Sequence, residues 1–428
     1  MNNTKPLKYP DMTVVRQKLH ASKIKDIPAA LLSTLSILPV ADMTKPGETV
    51  ALAVGSRGIN RIDNIVYHCL QFLKDKHLKP FIAPAMGSHG GGTADGQTAV
   101  LAKLGITESA MGVPILSDMD VVQVGRLSND LKIFFSKKAL EADHIVVINR
   151  IKPHTKFRAD IESGLCKMLT IGLSKAEGAS EFHRCAVKHT FTIIEDAARL
   201  IINQGRITFG LALLEDGYGN LAHVEAILPP SFIEREKILL KDATAMMGRI
   251  PFDHLDILIV DFIGKDISGI GMDSNITGRH RDIVGDFYTS PHVKRIFVRD
   301  LSPASDGNAN GIGLADVTTK RLVNALDIQK TYANALAAIS PEKAAIPIYF
   351  DSDRESLDAC ARTIGLDFMA KARVVRIKDT ASLEFLQVSK ALEPEILSNS
   401  NLEQITPWEP LKFDIDDNLM PKNCTNCS

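Results

Sequence analysis

Hydrophobic positions follow two alternating patterns along the chain. Short, uninterrupted apolar runs rich in Val and Ile, bounded by Gly, Asp or Ser, occur at 50–56 (VALAVGS), 80–86 (PFIAPAM), 144–150 (HIVVINR) and 208–214 (TFGLALL). They recur at 255–263 (LDILIVDFI), 295–299 (RIFVR), 346–350 (IPIYF) and 373–377 (RVVRI). Runs of this length without strict alternation suit strands covered on both faces, as in parallel sheets. Between them apolar residues return at helical spacing. Arg61–Lys76 carries Ile65, Val66, Leu70, Phe72 and Leu73, and 192–203 and 233–247 read the same way. Strand, helix, strand repetition predicts an α/β protein with a mostly parallel sheet in each half. A charged helix ends near Met247 and Pro251 precedes a new strand, so two domains are expected, 1–248 and 249–428. The tail after Pro407 has little periodicity and reads as poorly ordered.

Composition narrows the class. The 428 residues are more than one typical core holds, and 45% hydrophobic with 24% charged residues is ordinary for a globular protein. A net charge of -1 gives no global field toward nucleic acid or an anionic membrane, so any anion site is local. The N-terminal MNNTKPLKYPDMTVV lacks the apolar core of a secretory signal, and no run reaches membrane-spanning length. Six cysteines over this length make no disulfide scaffold, so a cytoplasmic location is expected. Cys424 and Cys427 form a CxxC at the tail, either an incidental exposed pair or a metal or redox site.

In open α/β sheets ligands bind beyond the carboxyl ends of the strands, so the loops there are where chemistry is expected. The first loop, GSRGINR, offers Arg57 and Arg61 as forks for a carboxylate or phosphate, or as solvated surface arginines. The second, GSHGGGTADG, is dense in glycine around His89. A phosphate-cradling nest using Gly90 and Gly91 is one reading, and His89 is a general acid–base candidate or a hydrogen-bonded turn residue. No GK[ST] follows, so it is not a P-loop. The third segment, 149–175, gathers Arg150, Lys152, His154, Lys156, Arg158, Lys167 and Lys175 beside apolar 168–173. Lys167, between Gly164 and that apolar run, is a candidate nucleophile or one half of an ion pair. His183 and His189 are six residues apart, which puts them on different sides of a helix, so at most one serves a given metal. The second half offers GKDISGIGMDSNITG with Lys265, a carboxylate anchor in an interdomain cleft or a solvated lysine, and DGNANGIG at 306–313, a lid or a turn.

Taken together, GSHGGGTADGQ, the PH…GLCKMLTIGL run and the FH that follows resemble the nickel-pincer lactate racemase family, through most of the first domain and into GKDISG. The resemblance implies a cofactor-bearing catalytic domain at 1–248, a second α/β domain at 249–428 and an active site in the cleft between them. It implies a racemase or epimerase of a small 2-hydroxy acid, using a nickel-pincer nucleotide tethered to a lysine and built by cofactor-synthesis proteins. Lys167 then matches the tethering lysine, and His183, sixteen residues later, the nickel ligand. His89 and His154 match the histidines that exchange the hydroxyl proton, and Arg57 and Lys265 the residues that hold the substrate carboxylate. Departures lie around cofactor and substrate. The first loop lacks the family's Asp, Gly164-Leu165-Cys166 precedes the lysine where a Gly-Gly pair is usual, and Lys152 replaces the histidine before Pro153. These imply a different, larger or more anionic 2-hydroxy acid. On the residues alone, the alternatives are a nickel-independent hydrolase or lyase acting on an anionic metabolite and a non-catalytic metabolite-binding protein.

Overall fold

The computed structural model describes residues 7–56, 58–366 and 369–421. The chain forms two compact α/β units. One runs from His20 to Met247, and the other joins the chain up to Leu19 with the chain from Gly248 onward.

The first unit is built on a five-stranded sheet in the order Lys79–Pro84, Thr49–Val54, His144–Arg150, Ile207–Glu215, Leu221–Ile227. The first four strands are parallel and the last returns antiparallel. The central strands are buried on both faces, with Leu52, Val146 and Leu211 fully enclosed, which is why their sequences read as continuous apolar runs. Helix Ile62–Asp75 supplies Ile65, Val66, Cys69, Leu70 and Leu73 to the same core. Helices Lys175–His189, Ile193–Ile202 and Phe232–Met246 follow the loop-rich segment after the strand at 144–150.

The second unit holds a nine-stranded sheet. Ile348–Phe350, Val317–Thr319, His292–Leu301, His254–Ile263 and Val374–Ile377 are parallel neighbours in that order. Phe385–Ser389 then pairs antiparallel with Val374–Ile377, and Asp11–Gln17 pairs antiparallel with Phe385–Ser389, with Leu402–Gln404 and with Glu409–Pro410. A cluster including Ile257, Ile259, Phe297, Leu357 and Val374 forms its core.

Two expectations change here. The N-terminal segment was assigned to the first domain, but Asp11–Gln17 is a strand of the second unit's sheet, with Val15 fully buried there. The tail after Pro407 is held by backbone and charge. Leu419 donates its amide to Asp353, while Arg299 and Arg376 donate to the carbonyls of Leu419 and Met420. Cys424 and Cys427 lie outside the described residues.

Candidate active site

In the first unit, loops at the carboxyl ends of three parallel strands carry the candidate residues, as the strand-end rule anticipates. The loop after Lys79–Pro84 turns sharply. Gly90, at φ 67°, packs against Gly96, where an added Cβ would lie 1.8 Å from the Gly90 carbonyl oxygen. Thr93 caps the helix Ala94–Lys103 by accepting the Gly96 amide, so loop and helix start are one welded turn. His89 stands at its head, its Nδ1 hydrogen-bonded to Ser56 Oγ at 2.5 Å from the neighbouring loop. The glycines expected to cradle phosphate thus also form the turn that aims His89. Arg57 lies outside the described residues. Arg61 occupies the position before helix Ile62–Asp75, without a side-chain capping bond, and pairs at the surface with Asp63.

The segment after His144–Arg150 makes the centre. Lys167 closes a single helical turn, Leu165–Lys167, and the backbone then widens into a π-helix, Met168–Gly172. Such π segments recur at functional sites because they re-aim the side chains around them. Lys167 Nζ lies 2.5 Å from His154 Nε2. His154 is held on every side. Its amide donates to Glu162 Oε2 at 2.5 Å, its Nδ1 accepts the Lys156 amide at 3.0 Å, and its carbonyl accepts from Arg158. Its ring stacks on Phe157 with centroids 4.4 Å apart, and Phe157 stacks on Phe191 at 4.2 Å. Since Nδ1 accepts a proton, a neutral His154 carries its own on Nε2.

His183 projects from helix Lys175–His189 and meets Phe191 edge-on at 5.6 Å, so the lysine, His154 and His183 are arrayed around one aromatic wall. His189, on the same helix, is exposed, as the six-residue spacing anticipates. The His89 loop packs on this segment. Gly87 donates its amide to Gly172, and a Cβ on Gly55 would lie 3.0 Å from Met168 Cε. Arg150 is engaged with Glu215, and Lys156 lies over the Phe191 ring.

Sequence reading missed Glu236 and Glu162 as supports and named Lys175 only among the basic residues. Glu236, fully buried on helix Phe232–Met246, accepts the Cys166 amide at 3.0 Å beneath the lysine turn. Burial pushes its carboxyl up to about 7, against the lowering effect of the Cys166 and Leu165 hydrogen bonds. Gly164 lies against it, and a Cβ there would sit 2.3 Å from Glu236 Oε1 and push the carboxyl aside. Glu162 is also shifted upward by burial. Lys175 is buried to 1% exposure, with its ammonium pulled down to about 8 by desolvation. Only the placement of Lys175 in a basic stretch, and of Gly164 before the lysine, left any trace in the sequence.

Lys265 lies in the second unit, just past His254–Ile263, where Nζ donates to the Gly269 carbonyl and to Asn334 Oδ1. Around it, Gly271 and Gly311 bring two loops backbone to backbone.

A parallel α/β unit presenting a lysine–histidine centre at its strand ends defines the class. Residues 7–193, under half of the chain, match the lactate racemase N-terminal domain. Among solved structures it is similar to the lactate racemase apoprotein from Thermoanaerobacterium thermosaccharolyticum, at 14% identity and a TM-score of 0.47, over 91% of this chain and 92% of that one. No curated protein matches the chain.

Proposed function

We propose that the chain is an isomerase that racemises or epimerises a small 2-hydroxy acid with a nickel-pincer nucleotide tethered to Lys167. The observation that carries this reading is the Lys167–His154 contact at the strand-end site. A tethering lysine must reach its uncharged amine form to be acylated, and a neighbouring imidazole can take the proton that this releases.

The side chains fit such a group. Among the described residues no three His, Cys, Asp or Glu side chains converge to hold a bare metal ion. A metal here would therefore draw most of its ligands from the nucleotide and one from the protein, and this reading assigns that one to His183, beside Phe191. When bound, the cofactor supplies a hydride acceptor, which spares the site from making a carbanion at a non-acidic carbon.

The chain's residues do the rest. His154 exchanges the substrate hydroxyl proton at Nε2, its ring fixed by Phe157 and by the amides at 154 and 156. His89 does so for the opposite enantiomer, its ring oriented by the hydrogen bond between Nδ1 and Ser56 Oγ. The turns at Gly90 and Gly91 offer backbone amides to the nucleotide phosphate.

Intact-protein mass spectrometry with nickel analysis tests this, on protein from a host that makes the cofactor. A covalent adduct on Lys167 with about one nickel per chain is expected, as the tether model holds one group per lysine. Both should vanish in Lys167→Ala together with turnover. Retention of the adduct in Lys167→Ala refutes the tether. A nickel-free, adduct-free chain that still turns over an anionic metabolite favours the hydrolase or lyase instead.

A further inference from the structure

We infer that Lys175 and Gln97 are a positioning pair for His89, holding its loop from beneath through a buried relay. This rests on the role proposed above for His89.

Lys175 carries two costs at one position. Its side chain is almost completely buried, and its backbone sits at φ 57°, a left-handed conformation uncommon for any residue but glycine. An apolar side chain would fill the same volume without desolvating a cation. What lysine adds is donors. Nζ donates to the Pro84 carbonyl at 2.7 Å, at the end of the strand that leads into the His89 loop, and to Gln97 Oε1 at 3.4 Å. Asp118 is the charged group that acts on it, and is itself shifted upward by burial.

Because a lysine only donates, Gln97 must turn its amide oxygen toward it. That fixes the other half of the amide. Nε2 donates to the Gly87 carbonyl at 2.8 Å and reaches the His89 carbonyl at 3.4 Å. Gln97 is fully buried, so water offers these carbonyls no substitute. The relay therefore joins strand end, lysine, glutamine and the His89 backbone, while Ser56 fixes the ring itself. Lys175 also begins the helix that carries His183, so the pair ties the His89 loop to that helix.

The test uses Gln97→Glu and Lys175→Met in the full-length chain, with ¹⁵N-labelled histidine and His89→Asn to assign the His89 signal. Gln97→Glu keeps an acceptor for Lys175 and removes the donors to Gly87 and His89. Expected in both variants is a shifted or broadened His89 ring signal with an altered pH titration, while the His154 and His183 signals stay in place. In cofactor-loaded enzyme kcat should fall on the order of tenfold to a hundredfold with KM little changed, the usual consequence of a misplaced acid–base group. Folded variants whose His89 signal and titration match the parent overturn the inference.

The parent protein gives a check that needs no variant. The two Nε2 hydrogens of Gln97 should appear as separate, exchange-protected signals, and rapid exchange there also overturns the relay. The ring signals are read on cofactor-free protein. An absence of 2-hydroxy acid turnover therefore counts against the racemase reading and leaves the relay to be judged by the spectra.

Discussion

Glu236→Gln should remove most of one pH-dependent component of stability. Glu236 is fully buried under the lysine turn, and its carboxyl is raised from 4.5 to about 7, burial being the largest cause. Because the folded value lies above the ordinary one, the native state binds more protons than the unfolded state between those limits. The contribution to stability is fully present below pH 4.5 and is lost as pH rises through 7. Integrating the proton uptake between about pH 5 and pH 8 gives a loss on the order of 2–3 kcal/mol from this one group. Glutamine keeps an oxygen to accept the Cys166 amide and cannot ionise. Its own baseline differs, since its amide hydrogens need acceptors, but that offset is the same at both pH values. The quantity to measure is the change in unfolding free energy from pH 5 to pH 8, by urea denaturation followed by circular dichroism, in parent and variant. The parent should lose roughly 2–3 kcal/mol more than Glu236→Gln, an amount set by the pKa difference alone. Parallel pH dependence in the two proteins would show that Glu236 is not held protonated near neutrality and would refute the reasoning.

Other consequences follow from the same packing. Phe191→Ala removes the wall shared by Phe157, His154 and His183, and should cost about 3–5 kcal/mol in calorimetry and lower kcat. Gly96→Ala forces a Cβ onto the Gly90 carbonyl and should destabilise the first unit by about 1–3 kcal/mol, seen as a lower Tm. In the second unit, Asp353 is buried and accepts from Arg299, Arg321 and the Leu419 amide. Asp353→Ala should therefore cost about 1–3 kcal/mol in urea titration, because it removes a buried acceptor shared by three donors, while Arg299 keeps Asp261 and Arg321 keeps Asp300.

The positions of the parallel strands were legible because their physical cause is local. A strand buried on both faces must be apolar throughout, and 144–150 was read with the bounds the structure shows. Several strands with an exposed face were not seen, although the short, exposed Ile348–Phe350 fell within the run at 346–350. Val121–Arg126 and Lys132–Ser136 form a partly exposed hairpin, and Leu221–Ile227 alternates with polar residues. Asp11–Gln17 shows why assignment to a unit is not local. Its pattern marks no partner, and only pairing with strands some four hundred residues away puts it in the second sheet.

The sequence by itself determined the α/β class, the glycine turns at strand ends and the residue types able to do acid–base and amine chemistry. Backbone preference and apolar periodicity act over a few residues, so they survive in a single chain read in order. Tertiary structure decided which of those residues act together. It set Lys167 against His154 and arranged His154 and His183 around Phe191. It put Glu236 under the lysine turn and gave Lys175, one basic residue among many, a buried post beneath His89. Those contacts join residues far apart in the chain, and burial, which shifts Glu236 and Lys175 so far from their ordinary values, is a property of the packed unit and not of the residue.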